Sequence, residues 1–150
     1  MNIHMIKTEK EYQELVLKLE NDLQFIELQR EHFKNMDLTD EQVKKALEPS
    51  ICFHEQLKEE VEYYEKIKRG EFTALENFDG MGRFLIGLRI YLGITQSELA
   101  TRLEVAEAQI SRDEKNEYHG ASIEKVKRIL EALSVTVSIS LTRIPDKIAV

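Results

Sequence analysis

The side chains of this chain that are best suited to chemistry lie close together, between Gln96 and Lys115. Gln109, Arg112 and Lys115 recur every three residues, which places them on neighbouring turns of a helix. Arginine carries a fork of N–H donors, an amide carries a donor beside an acceptor, and lysine carries a compact charge. Such a set forms paired hydrogen bonds and contacts anions, so the region is interpreted as a binding surface.

No residue pattern typical of catalysis appears elsewhere in the chain. The sequence has no glycine-rich phosphate loop, no Gly-x-Ser-x-Gly and no metal-ligand spacing. Cys52 and His54 are two residues apart and would point to different faces of a helix. The glutamates between Glu59 and Glu65 alternate with lysines and indicate a solvated surface. We therefore expect no enzyme activity, no cofactor and no metal.

Two short helices joined by a tight turn are predicted to carry the binding surface. Gly93 can end a helix in the left-handed conformation, and Thr95 with Glu98 forms a capping box for the next one. The apolar face of that next helix is predicted to be Leu99, Ala100 and Leu103. Ile110 is the single large apolar residue in the middle of the second helix. The other faces of that helix must therefore be solvated or bound to a partner.

These residues resemble the Xre family of helix-turn-helix proteins, which includes the Cro and phage repressors. The resemblance covers about a third of the chain, from roughly Gly82 to Leu133. Its motifs are Arg89-x-x-x-Gly93-x-Thr95-Gln96, Glu98-Leu99-Ala100, Ile110-Ser111-Arg112 with Glu114, and Leu130-Glu131-Ala132-Leu133. The resemblance implies that the second helix enters a DNA major groove.

The resemblance also implies roles for single residues. The start of the recognition helix would meet base edges, Gln96 would meet a phosphate, and Arg89 with Glu114 would form a structural salt bridge. The predicted DNA-binding residues are Gln96, Ala106, Glu107, Ala108, Gln109, Ser111, Arg112 and Lys115. Three residues depart from the family pattern: Glu104 replaces the usual turn glycine, Ala106 the usual Ser or Thr cap, and Glu107 the commoner Gln or Arg.

Charge is distributed unevenly along the chain, whose net charge is −7. Residues 1–80 hold 11 basic and 19 acidic side chains, a net −8, whereas residues 81–150 hold 10 and 9, a net +1. DNA binding depends on the charge near the phosphates, so the net charge of the second half permits DNA binding but does not strongly favour it. The acidic first half either keeps a helical surface soluble or meets a basic protein.

The cysteine content and the N-terminus bear on localisation. Cys52 is the one cysteine, so there is no disulfide framework and a reducing cytoplasm is expected. The first residues lack the apolar run of a signal peptide. No apolar stretch approaches the roughly 18 residues needed to span a bilayer, so no membrane association is expected.

A helical hairpin for protein contacts is predicted over residues 1–70. Capping signals at Thr8 and Thr39 begin two helices with long apolar stripes, and Pro49 predicts a break or kink near Glu48–Ser50. Residues 71–79 are the predicted connector and residues 80–134 the DNA-binding domain. The sequence leaves open whether the hairpin covers a twin chain or the DNA-binding domain, and whether a small-molecule effector binds between them.

The tail from Val135 to Leu141 alternates Val, Ile and Leu with Thr and Ser, which predicts a strand. Because the rest of the chain is predicted to be helical, residues 135–150 are expected to pair between two chains and form a dimer.

The sequence thus predicts a mainly α protein that binds a DNA operator as a homodimer and represses transcription. The alternative is a type II antitoxin, because an N-terminal helical region before an Xre domain resembles HigA-type antitoxins. Such a protein neutralises a basic toxin and represses its own operon. The operator sequence, and whether the regulator activates or represses, cannot be read from the residues.

Overall fold

The computed structural model describes residues 3–147, and this part of the chain contains six α-helices. They are α1 (Glu9–Lys34), α2 (Asp40–Lys68), α3 (Met81–Tyr91), α4 (Gln96–Leu103), α5 (Glu107–Lys115) and α6 (Ile123–Ala132). The prediction of a mainly helical chain is confirmed. Among the described residues, none of the helices combines the length and the apolar character needed to cross a membrane.

α1 and α2 pack against each other along their length as an antiparallel hairpin. Near its base, the rings of Tyr12 and Tyr64 stack with centroids 4.8 Å apart. Further along, the Ser50 hydroxyl donates to Gln29 Oε1 over 3.2 Å. The predicted capping box at the start of α2 is present: the Thr39 side chain accepts from the Gln42 N–H, and the Gln42 side chain accepts from the Thr39 N–H. Local capping and the apolar seam therefore agree on this arrangement.

α2 continues through Pro49, so a break near Glu48–Ser50 is wrong, and the alternative of a kink there stays a prediction. Proline removes one backbone hydrogen bond, here to the carbonyl four residues earlier, at Lys45. Both residues are exposed, so water can hydrate that carbonyl. Val43 and Leu47 on the inner side are buried and hold the helix against α1.

One hydrophobic core joins the base of the hairpin to the four helices that follow. It contains Met5, Ile6, Val61, Tyr64, Ile67, Leu85, Ile86, Leu99, Ile110, Ile129 and further apolar residues of α3–α6. Met5 and Ile6 are among its most buried members, although they precede the first helix. The N-terminal segment is thus part of the core beneath α3.

Arginines of α3 hold this N-terminal segment in place. The Arg83 guanidinium donates to the Ile3 carbonyl. The Nη2 atom of Arg89 donates to the Lys7 carbonyl over 2.8 Å. The N-terminal segment has no regular secondary structure, and side chains of α3 supply hydrogen bonds to its backbone carbonyls.

The loop after α5 approaches α3 at Gly82. A Cβ atom built on this glycine would lie 1.7 Å from the carbonyl oxygen of Glu117, so only glycine fits there. The Arg83 Nε atom, one residue on, donates to Glu117 Oε1 over 3.0 Å. The end of α5 is therefore fixed to the start of α3.

The predicted strand at Val135–Leu141 is wrong for the chain as the structure describes it, since no strand occurs between residues 3 and 147. Val135 still belongs to the domain, because its N–H donates to the Leu130 carbonyl over 2.9 Å. Beyond it the side chains leave the core, and Ile139 and Leu141 are 76% and 79% exposed. A strand needs a second strand to accept its backbone hydrogen bonds, and this single chain offers none there. The predicted tail also included residues 148–150, which lie outside the described residues.

Candidate nucleic-acid interface

The interface is built on α4, α5 and the turn between them. The capping box predicted for α4 is present: Thr95 Oγ1 accepts from the Glu98 N–H, and Glu98 Oε2 accepts from the Thr95 N–H over 2.7 Å. At the other end, the N–H of Val105 donates to the Ala100 carbonyl over 3.0 Å. α4 is therefore closed at both ends by hydrogen bonds that lie within residues 95–105.

Glu104 ends α4 with φ 56° and ψ 40°, the left-handed conformation. The position where the family pattern has glycine therefore has the positive φ that glycine favours. A residue with a Cβ atom adopts this conformation at a cost of about 1–2 kcal/mol relative to the right-handed region. The turn thus keeps the geometry that glycine favours, and the glutamate carries the strain.

α5 buries one side and exposes the other. Ile110 and Glu114 are buried on the inner side, as expected of a helix with a single large apolar residue in its middle. The exposed residues of this helix are Glu107, Ala108, Ser111, Arg112 and Lys115. Ala108, Ser111, Arg112 and Lys115 share the outward side opposite Ile110, because they recur at spacings of three and four. The structure thus brings four of the predicted residues onto one solvent-facing surface.

The start of α5 lacks a side-chain cap. Ala106 is the N-cap residue in extended conformation, and its methyl group makes no hydrogen bond. Glu107 stands exposed in the first turn, where a carboxylate interacts favourably with the helix dipole. The negative charge of Glu107 therefore stabilises the start of α5, whether or not this residue also binds a ligand.

Gln109 lies half-buried beside the outward surface and positions its neighbours. Its Nε2 atom donates to Asp113 Oδ1 over 3.0 Å, and its Oε1 atom accepts from Arg112 Nη2 over 3.0 Å. Asp113 in turn forms a 2.7 Å ion pair with Lys125 of α6. The Arg112 side chain is therefore oriented by a series of contacts that begins on another helix.

The predicted salt bridge between α3 and α5 is confirmed and lies fully inside the protein. Arg89 is 3% exposed and Glu114 is 0% exposed. Their second contact, from Arg89 Nη2 to Glu114 Oε2, measures 2.8 Å, and Arg89 Nη1 also donates to the Ile94 carbonyl over 2.9 Å. A buried charge pair needs such additional hydrogen bonds to offset its desolvation. The pair fixes α5 against α3 and is closed off from solvent.

Gln96 turns inward, which the motif alone does not indicate. Its Nε2 atom donates to Glu114 Oε2 over 2.7 Å, so the side chain is occupied by the buried ion pair. Ser97, the next residue, is exposed at the second position of α4, with its hydroxyl and backbone N–H at the helix start. Sequence reasoning did not name Ser97; its place after the capping residue was the available signal.

α6 closes the domain behind the turn. Its N-cap is Ser122, whose Oγ accepts from the Lys125 N–H over 3.1 Å. Arg128 donates to the Leu103 carbonyl, and Arg102 of α4 donates to the Ala132 carbonyl over 2.9 Å. These arginines satisfy carbonyls at helix ends, so they support the turn.

Comparison with known proteins identifies this part of the chain. A family model described as helix-turn-helix matches residues 88–139, about a third of the chain. No curated protein and no solved structure gives a significant match. The match covers α4, the turn, α5 and α6, so these elements form a helix-turn-helix DNA-binding domain, as the resemblance predicted.

Proposed function

We propose that this protein is a sequence-specific transcriptional regulator that binds an operator as a homodimer and represses transcription. The observation that carries the proposal is the two-sided character of α5. Its inner side is held by Ile110 and the buried Arg89–Glu114 pair, while its outer side presents only small or polar groups and two cations. A rigidly held helix with such an outer side suits the major groove.

Arg112 is assigned to a base edge. An arginine forms two parallel hydrogen bonds with guanine in the major groove, each good pair discriminating by about 1–3 kcal/mol. Its orientation by Gln109 supports this role, because a positioned guanidinium loses less freedom on binding. Ala108 and Ser111 lie on the same outward side and are small enough to let the helix approach the bases closely.

Phosphate contacts are assigned to Ser97 and Lys115. The start of a helix binds anions through free N–H groups and the helix dipole, and Ser97 is exposed there. Lys115 is exposed in the last turn of α5. Gln96 is assigned a positioning role through Glu114.

The charge balance supports a dimer. Residues 81–150 carry a net +1 only, so one copy neutralises few phosphates. Two linked helix-turn-helix domains on half-sites about 34 Å apart gain affinity through effective concentration. The reducing cytoplasm, where Cys52 stays a thiol, is the proposed compartment.

Selection of binding sites from random duplex DNA by the full chain tests the proposal. Enrichment of a palindromic sequence, followed by titration with Arg112→Ala, should show a loss of about 1–3 kcal/mol on that site and relaxed specificity. Arg69→Ala, which changes an exposed arginine at the end of the hairpin, is the matched control and should bind normally. Failure to enrich any sequence would refute sequence-specific binding. If Arg112→Ala lost equal affinity for selected and random DNA, Arg112 would contact a phosphate and not a base.

Neutralisation of a basic toxin with repression of its own operon is the second candidate function. It is favoured by the net charge of −8 on residues 1–80, most of which form the exposed hairpin. Co-expression with the product of the adjacent open reading frame tests it. A toxic small basic protein whose toxicity this chain suppresses would support the antitoxin role, and a harmless neighbour would count against it.

A further inference from the structure

Three side chains of α5 form a series of hydrogen bonds that ends at Arg112, the proposed base-reading residue. Gln109 Nε2 donates to Asp113 Oδ1 over 3.0 Å, and Gln109 Oε1 accepts from Arg112 Nη2 over 3.0 Å. Among the described residues, this is the one side-chain hydrogen bond that the exposed Arg112 makes. The orientation of its guanidinium therefore depends on which end of the Gln109 amide faces it.

Asp113 determines which end that is. A carboxylate only accepts hydrogen bonds, a guanidinium only donates them, and an amide has one donating and one accepting end. Asp113 therefore takes the Nε2 end of Gln109, and the Oε1 end is left for Arg112. With the amide turned round, Nε2 would face the guanidinium, donor against donor. Asp113 thus selects the amide orientation that holds Arg112.

Asp113 is itself fixed by a residue of another helix. Its Oδ2 atom is buried and lies 2.7 Å from Nζ of Lys125 on α6, while its Oδ1 atom accepts from Gln109. The Asp113 side chain is 16% exposed. Its two oxygens therefore have separate partners, a cation on one side and an amide on the other. From Lys125 to Arg112, every contact joins a donor to an acceptor.

We propose that Asp113 is a specificity-determining residue that sets the base preference of this regulator through Gln109 and Arg112. This inference rests on the proposed function and deepens it. An arginine held in the plane of guanine pairs with O6 and N7, whereas one that is free to rotate also binds phosphate oxygens. A glutamine with a free amide pairs with adenine, and Asp113 keeps this amide occupied. The surface therefore reads guanine through Arg112 and not adenine through Gln109.

Asp113→Asn tests the assignment, because it replaces one oxygen by an amino group of nearly the same size. Lys125 still needs an acceptor, so the new amide turns its oxygen towards Lys125 and its amino group towards Gln109. The Gln109 amide then turns round and presents Nε2 to Arg112. At the position where Arg112→Ala relaxes specificity, the preference for guanine should fall at least about fivefold, the smaller end of what one paired arginine–guanine contact contributes.

Combining Asp113→Asn with Lys125→Met should restore the preference. Without the ammonium group, the new amide is free to turn its oxygen back to Gln109, and Gln109 again accepts from Arg112. Lys125→Met alone is the matched control: it removes the ion pair, keeps the Asp113–Gln109 hydrogen bond and should keep the preference. Purely structural damage would instead add up in the double variant.

The measurement is a set of titrations at one salt concentration, with the selected duplex and with duplexes that carry each other base at that position. The ratio of affinities is compared, because removing the Asp113 charge raises affinity for all DNA. Urea denaturation establishes that each variant is folded under these conditions. Gln109→Met keeps the ion pair between Asp113 and Lys125 and should lose the preference as Asp113→Asn does.

Unchanged preference in Asp113→Asn or in Gln109→Met would overturn the inference, and so would a double variant that reads DNA no better than Asp113→Asn. In each of these cases the wild-type chain still selects a sequence, so the proposed function stands. A wild-type chain that selects no sequence would refute the proposed function, and this inference with it.

Discussion

The Gln96 side chain donates to Oε2 of Glu114 over 2.7 Å and so connects the first turn of α4 to a carboxylate buried in α5. This oxygen also accepts from Arg89. Two donors from two different helices thus converge on one buried oxygen. This carboxylate therefore connects α5 to both α3 and α4.

Gln96→Ala should therefore act on stability. Removing a hydrogen bond to a buried charged group is expected to lower the free energy of unfolding by about 1.5–3 kcal/mol, measured by urea denaturation. Ser97→Ala serves as the comparison, with little effect on stability and a smaller salt dependence of DNA binding. A fully stable Gln96→Ala protein with a salt slope reduced by about one phosphate would show instead that Gln96 contacts DNA.

Glu104→Gly should stabilise the protein. Glu104 has φ 56°, and glycine reaches this region without the steric cost that a Cβ atom imposes. The gain is offset in part by the greater freedom of glycine in the unfolded chain. We expect a net increase in the free energy of unfolding of about 0.5–1 kcal/mol, measured by thermal and urea denaturation. Glu107→Gly, in the first turn of α5, should destabilise, and a loss of stability in both would refute the argument.

Glu107→Gln should raise affinity for every DNA sequence. The exposed carboxylate repels phosphates and stabilises the start of α5 through the helix dipole. Its removal should improve binding to selected and random duplexes alike by about 0.5–1 kcal/mol, with base preference unchanged. A changed preference at a single position would mean that Glu107 accepts from cytosine N4.

Because the Tyr118 hydroxyl is buried, we expect the protein to lose stability at alkaline pH. This hydroxyl is buried without a hydrogen-bond partner among the described residues. Burial, followed by the negative charges of Glu114 and Asp113, raises the pKa of Tyr118 above its ordinary value of 10.0. Below pH 10 the phenol is neutral in both states. Above it the unfolded phenol ionises first, so the folded state loses stability as the pH rises towards its own pKa.

Tyr118→Phe should remove this contribution. The variant should be at least as stable as the wild type at pH 7, because an unpaired buried hydroxyl costs about 1 kcal/mol or more. Between pH 10 and 11 the wild type should lose up to about 1.4 kcal/mol more than the variant, measured by urea denaturation at each pH. The exposed Tyr91→Phe is the control. Parallel pH profiles for wild type and Tyr118→Phe would contradict the prediction.

The helix-turn-helix could be predicted because its signals are local. The Thr95 capping box, the turn at Glu104 and the single apolar residue Ile110 each act within a few residues. The Arg89–Glu114 pair was accessible through family resemblance. The sequence-based predictions of the helices, the turn and the ion pair therefore agree with the structure in this part of the chain.

The remaining differences arise from contacts that distant residues make. The side chain of Gln96 turns inward because Glu114 accepts its hydrogen bond, and α2 stays helical at Pro49 while its residues Val43 and Leu47 are buried. The alternation after Val135 describes a segment that could pair, but pairing needs a second strand. Met5 and Ile6 give no periodic signal, so their burial under α3 was not predicted.

The hydrogen bond from Arg89 to the Lys7 carbonyl has a topological consequence. Met5 and Ile6 lie in the core that α3–α6 form, α1 and α2 follow them in the chain, and the chain comes back to that core at Met81, so the hairpin lies between two segments of one core. A fragment that begins after the connector would lack Met5 and Ile6 and expose the cavity that they fill. The hairpin, by contrast, can be shortened from its tip by equal lengths of both helices. The hairpin and the domain of α3–α6 therefore cannot be exchanged independently. A chimera must keep both places where the chain passes between them.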